Sequence, residues 1–279
     1  MTLRRLIKQN ARRALQCHWG RAAAIILVAL IGCFLFVTLE MLLLAVFELP
    51  AFVDPLSTPG LYIDNLPNVS PIAMGVSFLV ATLYFIVLVP LSLGIIRWFF
   101  LLGDGKVEST MAIFKYFCTF TQFRRSLWLQ ICLFLRRLLW VFLFLVGPVT
   151  LIYLAVIWYR KGGTDLESVL SVGLMLLGIL LLILLGVFLM IWLMRYYLAE
   201  YVLVDDADLT AREAIEKSKQ LSRGRLTELL MLELSMLGWH LLDFLILSRL
   251  FTLPYRCTIK GLYAHYLIEV AKRDLDEAQ

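Results

Sequence analysis

The stretch "AAAIILVALIGCFLFVTLEMLLLAVF", Ala22–Phe47, decides the fold. A helix needs about 20 apolar residues to cross a bilayer core. A signal-peptide core is only ~7–15 residues long. This run exceeds that length, and no small-residue cleavage site follows it, so it reads as a retained transmembrane helix. Its single charge, Glu40, lies in the outer part, where the carboxylate reaches the interface.

Three more stretches pass the same length test: Ile72–Ile96, Leu138–Trp158 and Val169–Met194. Two weaker ones, Leu226–Leu247 and Leu250–Val270, carry several charges, yet their length still suits a crossing. Hydrophobic residues make up 61% of the 279 and charged residues 17%, with a mean hydropathy of +0.85. Soluble domains are about 45–50% apolar and about 25% charged. Lipid is therefore the solvent, and the expected class is an all-α polytopic membrane bundle of six transmembrane helices in one domain, with interfacial and cytoplasmic helices.

Lys and Arg in the loops set the orientation. Residues 1–21, 103–125 and 195–225 hold sixteen of them, against three in the alternate loops. Both termini are expected to be cytoplasmic. The net charge of +5 then reflects this asymmetry and not nucleic-acid binding. The first outer loop, "ELPAFVDPLSTPGLYIDNLPNVSP", is rich in turn residues. Pro90 and Gly147-Pro148 fall inside apolar helices and are expected to kink them. Gly173, Gly178 and Gly186 permit close packing in the fourth helix but form no GxxxG.

Phe114, Phe117, Phe120 and Phe123 recur every third residue, with Lys115, Arg124 and Arg125 among them. That pattern suits a helix lying in the inner interface over Ser109–Arg137. The alternative is one long tilted helix from Arg125 onward.

The most polar stretch is "LVDDADLTAREAIEKSKQLSRG", Leu203–Gly224. Thr210 and Glu213 have the spacing of a capping box. Gly224 is a helix stop. Ala211, Ala214, Ile215, Ser218 and Leu221 make one mildly apolar face. The helix is expected to pack on the cytoplasmic ends of the bundle. Thr210, Glu213, Ser218 and Gly224 mark it as a candidate surface for a protein partner. A capped connector is the plainer alternative.

The last two apolar stretches hold the most suggestive charges. Glu233, His240 and Asp243 share one helical face, Arg256 and Lys260 share another, and His265 follows. A short turn near Ser248–Leu250 makes the two helices antiparallel neighbours. Asp243 is then level with Arg256, His240 with Lys260, and Glu233 with His265. Charges at membrane depth survive by pairing or by lining a wet cavity. These six residues are therefore a candidate polar or lipid-binding crevice, or a structural ion-pair ladder.

Five cysteines, none in a CxxC spacing, and three scattered histidines give no zinc or disulfide framework. No P-loop, GxSxG or dinucleotide fingerprint occurs. No catalytic residue, cofactor or metal is expected, and no enzyme activity.

"RYYLAEYVLVDDADLTAREAIEKSKQLSRG", then "LELSMLGWHLL" and "LPYRCTIKGLYAHYL", resembles the bacterial integral-membrane family named domain of unknown function 975. Tyr201, Asp205, Ala214, Ser218, Gly224, Gly238, Trp239, Pro254, Tyr255 and Tyr266 carry the likeness. Ala207-Asp208 stands where members often have Pro, and His265-Tyr266 where they usually have Phe-Tyr. The resemblance implies a multi-pass protein of the bacterial cytoplasmic membrane, with membrane lipids as neighbours. It implies no activity. A distant similarity to the membrane domain of some glycerophosphodiester phosphodiesterases points toward lipid or envelope metabolism, without the catalytic domain. The expected function is a non-enzymatic envelope scaffold or sensor. The alternative is a lipid- or solute-handling transporter built on the polar face of the last two helices.

Overall fold

A computed structural model describes residues 3–48, 70–162, 164–206 and 208–276. The first outer loop lies outside the described residues. Among the described residues there is no strand, so the all-α expectation holds.

The chain divides into two compact units, Met1–Leu127 with Trp239–His265, and Trp128–Gly238 with Tyr266–Gln279.

The first unit opens with α1, Leu3–Gln16. The basic N-terminus, read from sequence as a topology signal, is a folded amphipathic helix. Ile7, Ala11 and Leu15, four residues apart, are buried, while Arg4, Arg5, Arg12 and Arg13 stay exposed. Helix α2, Trp19–Val46, packs along α3, Pro71–Gly103. Gly32 meets Leu88, and the Phe36 ring meets Tyr84 edge-on at 5.5 Å. Helix α3 continues through Pro90, where the Ser92 hydroxyl donates to the Val89 carbonyl.

The core of this unit is not in the middle of its spans. Phe34, Met41 and Phe78 are exposed along α2 and the first part of α3, as lipid-facing residues are. Burial concentrates toward the C-terminal end of α3, over Leu91, Leu93, Gly94, Ile95, Trp98, Phe99, Phe100 and Leu102. There α1 and the 3-10 helix Thr110–Phe114 close over it. The latter is followed by α4, Lys115–Cys118.

Thr119 is extended and separates α4 from α5, Phe120–Arg160. The expected interfacial helix over Ser109–Arg137 is therefore corrected. Only residues 110–118 form separate short helical pieces. The chain from Phe120 is one helix of about 60 Å at 1.5 Å per residue, because neither Gly nor Pro interrupts it before Gly147. It passes through Pro148 as well.

In the second unit α5 packs against α6, Asp165–Leu193. A Cβ on Gly178 would come within 2.6 Å of Ile152, so Gly178 is a close-approach point. Gly173 and Gly186 face open space. A 3-10 turn, Met194–Tyr196, leads to α7, Ala199–Asp205. Then come α8, Ala211–Leu221, and α9, Leu226–Leu234.

Among the described residues four helices are long and apolar enough to cross a membrane: Trp19–Val46, Pro71–Gly103, Phe120–Arg160 and Asp165–Asp205. They contain the four long apolar stretches of the sequence. The six-crossing expectation goes further than this. The stretch Leu226–Leu247 is not one helix. It is broken into α9, nine residues, and α10, Leu237–Leu242, six residues. At 1.5 Å per residue neither reaches half of a ~30 Å core. Leu250–Val270 lies within α11, Ile246–Asp276, which is continuous through Pro254.

Candidate functional site

Asp243 follows α10 and faces the start of α11. Its carboxylate accepts from the Thr252 hydroxyl and from Arg256 Nη1. Its backbone carbonyl accepts from Arg249 Nε at 2.7 Å. The Arg256 and Asp243 side chains are 11% and 19% exposed. The turn lies at residues 243–245 and not near Ser248–Leu250, which fall inside α11, and Asp243 pairs with Arg256 across it.

His265 Nε2 lies 2.8 Å from Asp104 Oδ1, and Asp104 also pairs with Lys106. Asp104 caps the C-terminal end of α3. Hydrogen bonds from Lys106 and then His265 hold its carboxyl below the usual carboxylate range, so it is ionised at neutral pH. Arg97 reaches Glu108 with both terminal nitrogens at 2.6 Å. That fork holds the Glu108 carboxyl low. The Trp98 indole N–H donates to the Glu108 carbonyl. Arg97 thus fastens the loop that follows its own helix.

Helix α11 touches the N-terminal end of α2 and the C-terminal end of α3. Near its start, Phe251 lies 6.2 Å from Trp19, the first residue of α2. Further along, Gly261 lets its backbone approach Phe99 and Phe100, and Leu262 fills the space beside Gly103. Tyr255, Ile259 and Tyr263 are buried. His240 is exposed and Lys260 half-buried. Asp243 with Arg256, and His265 with Asp104, form two separate fasteners.

A cavity of about 510 Å³ opens beside them, lined by Arg12, Arg13, Trp19, Trp239, Phe251 and Tyr255. Trp239 and Tyr255 meet edge to face at 5.2 Å, and the Arg12 guanidinium lies 5.8 Å from the Tyr255 ring. Sequence reasoning missed this cavity, although Trp239 and Tyr255 are both positions of the family likeness.

In the second unit the capping box is present. The Thr210 N–H donates to Glu213 Oε2 at 2.8 Å, and the Glu213 N–H donates to the Thr210 hydroxyl at 3.4 Å. Ala211, Ala214, Ile215 and Ser218 are buried. Gly224 has φ +79 and ends the segment in the left-handed region that glycine tolerates. The partner-surface expectation needs one correction. Ser218 is fully buried, and its hydroxyl donates to the Arg195 carbonyl at 2.8 Å. It seats the helix and is not open to a partner. The outward face of α8 is Arg212, Glu213, Glu216 and Gln220. Lys272 pairs with Asp205 at 2.9 Å, and Gln130 donates to Glu200 at 2.7 Å.

Comparison with curated proteins and with solved structures gives no match. A family model does match, over residues 1–270. That span takes in all four long apolar helices, α8 with its cap, and the Asp243–Arg256 hairpin, and on it the chain belongs to the family described as Protein of unknown function (DUF975).

Proposed function

We propose that this protein is a non-enzymatic scaffold or sensor of the bacterial envelope, set in the cytoplasmic membrane by four crossings. Both termini face the cytoplasm. An even number of crossings preserves the loop asymmetry that six would give. Helix α11 lies at the inner face and does not cross. Its contacts with the first residue of α2 and the last residues of α3 favour this, since both are inner ends under the positive-inside rule.

One observation carries the functional reading. Arg97, Asp104, Glu108, Asp243 and Arg256 are engaged in short-range pairs within one unit. Charges bound to one another in this way act as fasteners of a folded inner face, and coupled transport needs groups that change partners. The polar surface left for a partner is the outward face of α8. A protein partner there is part of the proposal. Photo-crosslinking residues at Arg212, Glu216 and Gln220 in native membranes are expected to yield a discrete protein adduct. No adduct, together with solute flux in liposomes that Arg256→Ala abolishes, would refute the scaffold reading.

A second reading, handling of a lipid or solute, rests on the cavity of about 510 Å³. Its size lies within the ~300–1,000 Å³ of small-molecule sites. Flux that depends on Tyr255 would favour it.

A further inference from the structure

The second unit holds a cavity of about 360 Å³ where α8 ends and α9 begins, lined by Arg195, Lys219, Ser222, Arg223, Gly224 and Leu226, among others. Three of these are cations, and none of the three makes an ion pair among the described residues. Arg195 and Lys219 rest instead on aromatic rings. The Arg195 guanidinium lies 3.6 Å from the Trp192 ring centroid, and Lys219 Nζ 5.5 Å from that of Tyr196. A guanidinium stacked on a ring keeps its in-plane N–H donors for an acceptor at its edge.

The rings are themselves fixed. Trp192 lies 5.0 Å from Trp140, and the Trp140 indole N–H donates to the Tyr196 hydroxyl at 3.1 Å. The Arg195 carbonyl is held by Ser218. The cationic side of the cavity is therefore preorganised, not a set of loose surface side chains.

Ser222 supplies an independent sign. It is fully buried, yet its hydroxyl has no hydrogen-bond partner among the described residues. Buried hydroxyls are nearly always paired. Here the missing partner coincides with a cavity whose walls are positive. Leu226, the first residue of α9, brings the unpaired N–H groups of a helix start to the same place.

We infer that this cavity binds a phosphate group, clamped by Arg195, Lys219 and Arg223 and hydrogen-bonded by the Ser222 hydroxyl. Phosphate offers the multiple acceptor oxygens that such a donor set satisfies. The source is either an anionic lipid headgroup or a free phosphate. Arg195 stands just past the end of the apolar helix α6. This inference does not depend on the scaffold reading.

The test uses the full chain in nanodiscs of phosphatidylcholine alone, and in nanodiscs that also contain phosphatidic acid. Native mass spectrometry reads retained lipid. Isothermal titration with inorganic phosphate reads the free anion. Lys219→Gln and Arg223→Gln, which remove partly exposed cations, are each expected to weaken binding by about tenfold. Ser222→Ala keeps the fold and weakens it too. Arg5→Gln, an equal charge change at an exposed position of the other unit, leaves it unchanged. Retained phosphatidic acid without phosphate binding assigns a headgroup. Phosphate binding without retained lipid assigns a soluble ligand. Neither signal, or equal signals in wild type and the Lys219 and Arg223 variants, overturns the inference.

Discussion

Gly94→Ala is expected to unseat the Thr110–Phe114 turn from α3 and to destabilise the first unit by about 3 kcal/mol or more. A Cβ at this position would stand 1.9 Å from the Ile113 carbonyl oxygen and 2.7 Å from its carbon. The obstacle is backbone, so no side-chain rotation relieves it. The turn sits on the most buried part of α3, beside Trp98 and Phe99, so displacing it exposes that core. Gly75, in the same helix, meets nothing within 4 Å. Gly75→Ala is therefore the control, and it should hold or gain up to ~1 kcal/mol through helix propensity. Tryptophan fluorescence during thermal unfolding in detergent separates the two. Equal unfolding temperatures for the two variants would refute the close-approach account.

Arg256→Ala is expected to cost about 2–3 kcal/mol. Breaking a fully buried pair costs about 3–5 kcal/mol, and the 11% and 19% exposure of these side chains lowers that through solvent screening. The variant leaves the Asp243 carboxylate with the Thr252 hydroxyl but without its guanidinium. The turn between α10 and α11 should loosen, because Arg249 holds the carbonyl of the same residue. Asp243→Leu combined with Arg256→Met should recover most of the loss, since an apolar pair of similar volume often replaces an ion pair without penalty. Recovery identifies a fastener. A double variant that stays as unstable as Arg256→Ala would show that the charges themselves are required.

The four spans are legible in the sequence because a long uncharged apolar run has one cheap solution, a helix in lipid. The cap of α8 is legible because Thr210 and Glu213 act locally. Asp243 and Arg256 are legible because a short turn fixes which residues are level. The partner of His265 is not. Asp104 lies far away along the chain, and periodicity carries no information about which distant helix end a histidine will meet. The packing of α11 on the ends of α2 and α3 is hidden for a different reason. Apolar residues such as Tyr255, Ile259 and Tyr263 look alike whether they face lipid or the packed ends of other helices. Helix α1 was hidden behind its arginines, though Ile7, Ala11 and Leu15 already hold the spacing of a buried stripe. Gly94 offers no sequence signal at all, because a glycine in "LSLGIIRW" reads as part of a span. The cavity around Ser222 escapes because it depends on one unpaired hydroxyl meeting three cations.

The central claim is that the chain crosses four times and that the α10–α11 turn stays on the inner face. Single cysteines in a background lacking the five native ones test it with a membrane-impermeant maleimide applied to either face. Native Cys17, exposed beside α1, marks the inner face. Lys161→Cys, exposed between α5 and α6, marks the outer one. Ser248→Cys, in the first turn of α11, is predicted to label from the same face as Cys17. Labelling from the face of Lys161→Cys would restore six crossings and contradict the account.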